Sequence, residues 1–189
     1  MNIKFLKSLL TSILLASLVA CSAAPTHLII TPEVYLPASS QFFNKQASVS
    51  VVDMRTSTHI VQILKEGEAA HILSAETRLE DTIQGILTKQ WQQQGLLITA
   101  PANNELTVTI EKAIISVQQE SVSYTTQSEI IIKVAINNNK QTLTTRFKNR
   151  AHSEGALKAD IAVLEREFNQ HLSTLLKQIL TSKDIQRFI

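Results

Sequence analysis

Apolar residues along this chain fall at two spacings, and the spacing changes several times. In "QASVSVVDM", Val49, Val51 and Asp53 share one parity while Ser48, Ser50 and Val52 take the other, which predicts a strand. "HIVQIL" and "AAHIL" predict two short strands on either side of a turn at Glu66-Gly67-Glu68. From Thr77 to Gln94 the period lengthens. Leu79, Ile83, Ile86, Leu87 and Trp91 recur at the spacing of one helix face. Thr77-Arg78-Leu79-Glu80 has the form of a capping box, and Gly95 stands where such a helix stops.

"LLITA" and the turn "PANN" lead into a long strand, "ELTVTIEKAIISV". Its apolar set is Leu106, Val108 and Ile110, then Ala113, Ile115 and Val117, so the parity flips near Glu111 and Lys112 and predicts a bulge. "YTTQSEIIIKVAI" keeps one parity through Tyr124, Ile130, Ile132, Val134 and Ile136. Asn137 to Lys140 form a turn without glycine, since asparagine tolerates positive φ, and "QTLTTRF" returns antiparallel. The chain closes with a helix from Asp160 to Ser182. Ile161, Leu164, Phe168, Leu172, Leu175 and Ile179 make its stripe, and Asp160 is suited to the N-cap. Two amphipathic helices and one antiparallel meander specify an α+β two-layer sandwich. Its mostly antiparallel sheet is covered on one face by the two helices.

These elements place a single domain at residues 45–189. Before it, residues 21–44 carry three of the four prolines but also Leu28, Ile29, Ile30, Val34, Tyr35 and Leu36. A pure tether is more polar than that. The segment is expected to be a short tether followed by an extended arm, kept out of a central strand by Pro32 and Pro37.

Residues 1–20 have the form of a signal peptide: Lys4 and Lys7, then an apolar run from Ser8 to Ala20 that is too short to span a bilayer. The run ends Leu18-Val19-Ala20-Cys21, which resembles the lipobox of bacterial lipoproteins, and Cys21 is the sole cysteine. That resemblance implies a cysteine bearing diacylglycerol and an acyl (palmitate-type) chain as the first mature residue. Two or more chains hold a protein at a membrane where one does not. Ser22, in place of an aspartate, implies sorting to the outer membrane, with the domain facing the periplasm. Of the 18 basic groups Lys4 and Lys7 leave with the signal, so the mature chain balances its 16 acidic groups to zero. No basic excess steers it to nucleic acid. With no second cysteine, the fold uses no internal disulfide.

Chemistry is sparse. The histidines, at 27, 59, 71, 152 and 171, make no metal-ligand spacing, so no metal or cofactor is expected. Glu66/Glu68, Glu80/Asp81 and Glu165/Glu167 flank a turn or lie on polar helix sides, and no nucleophile or phosphate-loop motif is present. The pattern argues against an enzyme. Asp53-x-Arg55-Thr56 is the most pointed feature: Asp53 and Arg55 share a strand face within reach of each other. They form either a structural ion pair or a polar contact for a partner.

Five segments together resemble the YajG-type lipoprotein family of gammaproteobacterial envelopes. They are the lipobox at Cys21, "ITPEVYLP" (Ile30 to Pro37), "VSVVDMRT" (Val49 to Thr56), Glu154-Gly155, and the terminal "IQRFI". The resemblance implies a small acylated envelope protein and adds no reaction. The expected function is a non-enzymatic envelope accessory that binds another envelope protein, at an exposed sheet edge or a helix flank. The alternative is a module that binds a small apolar or glycan ligand between helices and sheet, in a cavity beside Trp91.

Overall fold

The computed structural model describes residues 26–189; Cys21, Ser22 and the signal segment lie outside the described residues. In chain order the elements are β1 (His27–Leu28), β2 (Gln46–Asp53), β3 (His59–Lys65), β4 (His71–Ala75), α1 (Leu79–Gln93) and β5 (Leu97–Ile98). They continue with β6 (Glu105–Gln119), β7 (Ser123–Asn137), β8 (Thr142–Ala156), α2 (Ile161–Leu180) and a short α3 (Lys183–Phe188).

The meander follows the alternation. β6 pairs antiparallel with β7, and β7 with β8, along their whole lengths. The register of β6 against β7 shifts between Ile110 and Lys112, so Glu111 is the bulged residue and the parity flip is its signature. Asn139 takes φ 65° in the β7–β8 turn, where the Asn137 and Asn138 side chains accept backbone N–H bonds.

The rest of the sheet departs from the expected sandwich. β2 and β3 both pair parallel with β6, β1 pairs parallel with β4, and β5 pairs parallel with β2. The sheet is therefore mixed rather than mostly antiparallel, and it curls into a half-barrel with two long helices. The reason is connectivity. Parallel neighbours need a crossover of a dozen or more residues, and β4, α1 and β5 supply one between β2 or β3 and β6. Period-two alternation reports which face is buried, and it reads the same whichever way the neighbour runs.

Helix α1 packs its Leu79, Ile83, Leu87 and Trp91 face into the core, and α2 packs Leu164, Phe168, Leu172, Leu175 and Ile179 there. The expected capping box at Thr77 is absent. The N-cap is Arg78, which makes no capping bond, and Glu80 turns instead to the Arg78 guanidinium. At the other end Gly95, at φ 90°, donates to Gln92 O and Leu96 N–H bonds Trp91 O, a Schellman closure. Asp160 caps α2 by accepting from Ala162 N–H. The arm lies along α2: Ile29 N–H donates to Glu165 Oε2 at 2.7 Å, and Asn169 bonds both Thr31 N–H and Ile29 O. Leu28, Ile30 and Phe42 of this segment are buried with the core.

Two contacts fix one end of the meander, where Gln119, Tyr124 and Gly155 lie side by side. The Gln119 amide donates to the carbonyls of Glu120, Ser123 and Leu157 and accepts from Ala159 N–H, tying the β6–β7 turn to the approach to α2. Tyr124 faces Gly155 across the β7–β8 ladder, and a Cβ built on Gly155 meets the Tyr124 ring at 2.3 Å. The tyrosine ring covers the glycine, a known way of supporting a strand glycine. Gly155→Ala is expected to displace that ring and cost about 1–3 kcal/mol in urea denaturation. In the Tyr124→Ala background the same change should cost far less. Equal costs in both backgrounds would reject the contact.

Candidate functional site

β6 is the longest neighbour of two shorter strands. One edge of it pairs with β7 throughout, while the other is shared. β2 covers Glu105 to Ile110, β3 covers Ile115 to Gln119, and residues 54–58 step from one to the other. Between them the β6 backbone has no strand partner on that side, and Asp53 and Arg55 fill the gap. The Arg55 guanidinium donates to Asp53 through Nε (2.9 Å to Oδ1) and Nη2 (2.6 Å to Oδ2), and through Nη1 to Ala113 O at 3.2 Å and His59 O at 3.5 Å. Asp53 Oδ1 also accepts Arg55 N–H, and Met54 N–H reaches Ile110 O. The two side chains are only 9% and 5% exposed. Burial pushes the Asp53 carboxyl up, but the Arg55 hydrogen bonds and charge, with a smaller contribution from Arg78, outweigh it and hold it below the ordinary aspartate value. A side-chain fork thus stands in for peptide donors at the point where the sheet changes neighbours.

The second feature is the outer face and free edge of the meander. Among the described residues β8 pairs only with β7, so a strand of 15 residues has one edge without a strand partner. Its inward residues, from Leu143 to Gly155, are all half-buried, whereas those of β7 from Thr126 to Ile136 are buried. On the outer face Arg146 forks onto Glu111, and Glu129 receives both Lys112 (2.6 Å) and Arg150 (2.5 Å). Bonds from Lys112 and then Arg150 hold the Glu129 carboxyl below its ordinary value against a smaller burial effect. A groove of about 450 Å³ crosses this face, lined by Lys112, Ile114, Gln127, Glu129, Arg150 and His152 among others.

The remaining candidates do not converge. Glu66 and Glu68 sit at the β3–β4 turn, where Glu68 pairs with Lys65; Glu80 and Asp81 both face Arg78; Glu165 anchors the arm. Among the described residues no group of three or more His, Cys, Asp or Glu is placed to hold a metal. Trp91 is fully buried, its Nε1 has no hydrogen-bond partner, and it lines none of four surface grooves of about 450, 420, 540 and 230 Å³. Thr107, Ser123 and Thr125 are half-buried and Thr109 is buried, so these hydroxyl-bearing strand residues are largely withdrawn from solvent. The gap-filling role of Arg55 and the Gln119 bonds are missing from the sequence reading, because both depend on residues that only the folded sheet brings together.

Residues 32–189 match the model of a family described as "Uncharacterized lipoprotein". The chain belongs to that lipoprotein family. It is 24% identical over 189 residues to the uncharacterized lipoprotein YajG of Escherichia coli K12, covering 98% of this chain and 97% of that one. Two solved structures share the fold. Protein XCC0632 from Xanthomonas campestris matches at TM-score 0.60 and 13% identity, over 87% of this chain and 97% of that one. A Helicobacter pylori protein described as a homolog of neuraminyllactose-binding hemagglutinin matches at TM-score 0.52 and 9% identity, over 86% and 96%. At these identities the likeness is one of fold alone. Among the described residues no helix is long and apolar enough to cross a membrane.

The geometry makes Asp53–Arg55 a buried, fully bonded pair, and removing one partner leaves a buried charge. Arg55→Ala is expected to cost about 3–5 kcal/mol in chemical denaturation. The Asp53 pKa is lower folded than unfolded, so the pair's contribution is present above the unfolded value, about 3.9. It is lost as pH falls through the lower folded value. Wild-type stability should therefore drop in that acid window, and Asp53→Asn should flatten the drop. An unchanged acid profile in the variant would show that Asp53 does not carry it.

Proposed function

We propose that this protein is an acylated lipoprotein of the outer membrane, anchored through Cys21, that acts without enzymatic chemistry by binding another envelope protein. In this reading residues 1–20 are removed as the signal peptide, and Ser22 directs the mature chain outward. Residues 21–44 comprise the acylated cysteine, a short tether and an arm packed on the domain of 45–189, which faces the periplasm. Membership of a lipoprotein family and the lipobox-like run ending at Cys21 support the anchor. Acyl chains supply about 0.8 kcal/mol per buried methylene, enough with two or more chains to hold the protein at the surface.

The observation that carries the partner is the open edge of β8. Long free edges present unpaired N–H and C=O groups and invite strand addition. The half-burial of every inward β8 residue is what a sheet lacking one neighbour looks like. The Asp53–Arg55 pair, with its hydrogen bonds spent inside the sheet, is better suited to holding the fold than to meeting a partner. The ligand-binding alternative draws only on the groove of about 450 Å³ and on the fold shared with the hemagglutinin homolog.

Photo-crosslinking in the native host tests this, with probes at the exposed β8 positions Thr144, Lys148 and Glu154 and controls on exposed helix positions such as Gln92 and Thr174. A discrete band from the β8 probes, with the protein in the outer-membrane fraction, is the expected result. Bands from none of the β8 probes would overturn the partner reading. A soluble protein would overturn the anchor.

A further inference from the structure

The proposed partner reading leaves open what kind of segment the β8 edge accepts, and the residues on its two faces answer that. Going along β8, the outward positions are Thr142, Thr144, Arg146, Lys148, Arg150, His152 and Glu154, all exposed. Three in a row, Arg146, Lys148 and Arg150, are basic. Their neighbours on the same face add Lys112 and Lys133 and the acids Glu111 and Glu129, so with Glu154 of β8 itself five fixed cations face three carboxylates. Lys148 has no carboxylate within salt-bridge distance among the described residues. This face therefore carries an excess of two fixed cations, with Lys148 as its cation outside the ion pairs, even though the mature chain balances to zero.

The inward side asks for something different. The inward row is mixed: Leu143, Phe147 and Ala151 alternate with Thr145, Asn149 and Ser153, all half-buried, beside a core that includes Ile132, Val134 and Ile136 of β7. A strand laid on the edge alternates faces, so every second residue of it would sit beside this row and its apolar side chains, and the others beside the basic row.

We infer that the β8 edge accepts an extended segment of another protein in which carboxylates alternate with apolar residues. This rests on the partner reading above and names the chemistry of that partner. A second copy of β8 in the centred register is disfavoured by the same row. An antiparallel pair centred on Lys148 sets Lys148 against Lys148 and Arg146 against Arg150, and like charges directly opposite destabilise a sheet. An anionic headgroup meets the charges but offers no backbone N–H and C=O to the open ladder.

The test uses the full acylated chain in detergent micelles at low salt and a fluorescent peptide of about ten residues that alternates glutamate and valine. The expected result is saturable binding that weakens about tenfold in Lys148→Glu, an exposed position outside the ion pairs. A peptide alternating lysine and valine should fail to bind the wild type. A glutamate–valine peptide with proline at alternate positions, which cannot donate to a ladder, should fail as well. If the proline peptide binds as well as its parent, the contact is electrostatic without strand addition and the proposal falls. It falls equally if Lys148→Glu leaves affinity unchanged, or if vesicles containing phosphatidylglycerol bind through Lys148 while the peptide does not. Sedimentation showing a dimer that Lys148→Glu alters would assign the edge to a second copy instead. A crosslinked partner on the β8 probes with no binding of the acidic peptide would remove only the partner's chemistry. Absence of both would remove the partner reading too.

Discussion

The structure depends on one mismatch of length. β6 has 15 residues, and neither β2 nor β3 can cover its second edge alone. Two parallel strands must therefore share that edge, and the chain must step between them without leaving buried carbonyls unpaired. An unpaired backbone group inside a protein costs as much as a lost hydrogen bond. Arg55 meets this demand because a guanidinium offers several donors in one plane, enough to serve Ala113 O, His59 O and Asp53 together. The carboxylate of Asp53 then holds the fork in place. A buried ion pair is usually a poor stabiliser against well-packed apolar residues. Here an apolar replacement would leave the Ala113 carbonyl without a donor, so that comparison does not apply. The bulge at Glu111 falls at the same level, where extra twist helps the sheet curl.

What the sequence discloses follows from what alternation measures. Leu106, Val108 and Ile110, then Ala113, Ile115 and Val117, are all buried, and their change of parity marks the bulge, because each is a statement about one strand's own faces. Strand direction is a statement about two strands, and the identical alternation of β2 serves a parallel or an antiparallel neighbour. The sandwich expectation failed there. The capping box failed for a related reason: Glu80 is in the right position for it, but the adjacent Arg78 takes the carboxylate. Asp53 and Arg55 were legible as neighbours by parity, yet Ala113 lies 58 residues from Arg55. Glu154-Gly155 was legible as a motif without its cause, which is the ring of Tyr124 on another strand.

The arm would connect the proposed Cys21 anchor to the sheet. Glu165 and Asn169 bond its backbone to α2, and Leu28, Ile30 and Phe42 contribute to the core, so this segment is part of the folded body. With Cys21 acylated, the residues between it and β1 at His27 span at most about 20 Å when fully extended. In the acylated form proposed above, that would hold the sheet close to the bilayer. A protein so tethered meets partners by lateral encounter at the membrane, where a modest affinity is raised by the local concentration.

The edges of the sheet complete the argument. Natural sheets protect edges by keeping them short, by bulges, by proline, by a covering element, or by charge. β1 and β5, at the ends of the other path, are two residues each. β8 uses none of the first three devices: it runs 15 residues in unbroken register with β7 and contains no proline. Of the other two, charge is the one its own sequence supplies, concentrated in Arg146, Lys148 and Arg150. A defence of that kind is conditional. It repels a copy of itself and most exposed strands, but an oppositely charged segment neutralises it and gains the ladder beneath. The feature that keeps this edge from aggregating is therefore also the one that would select what binds there.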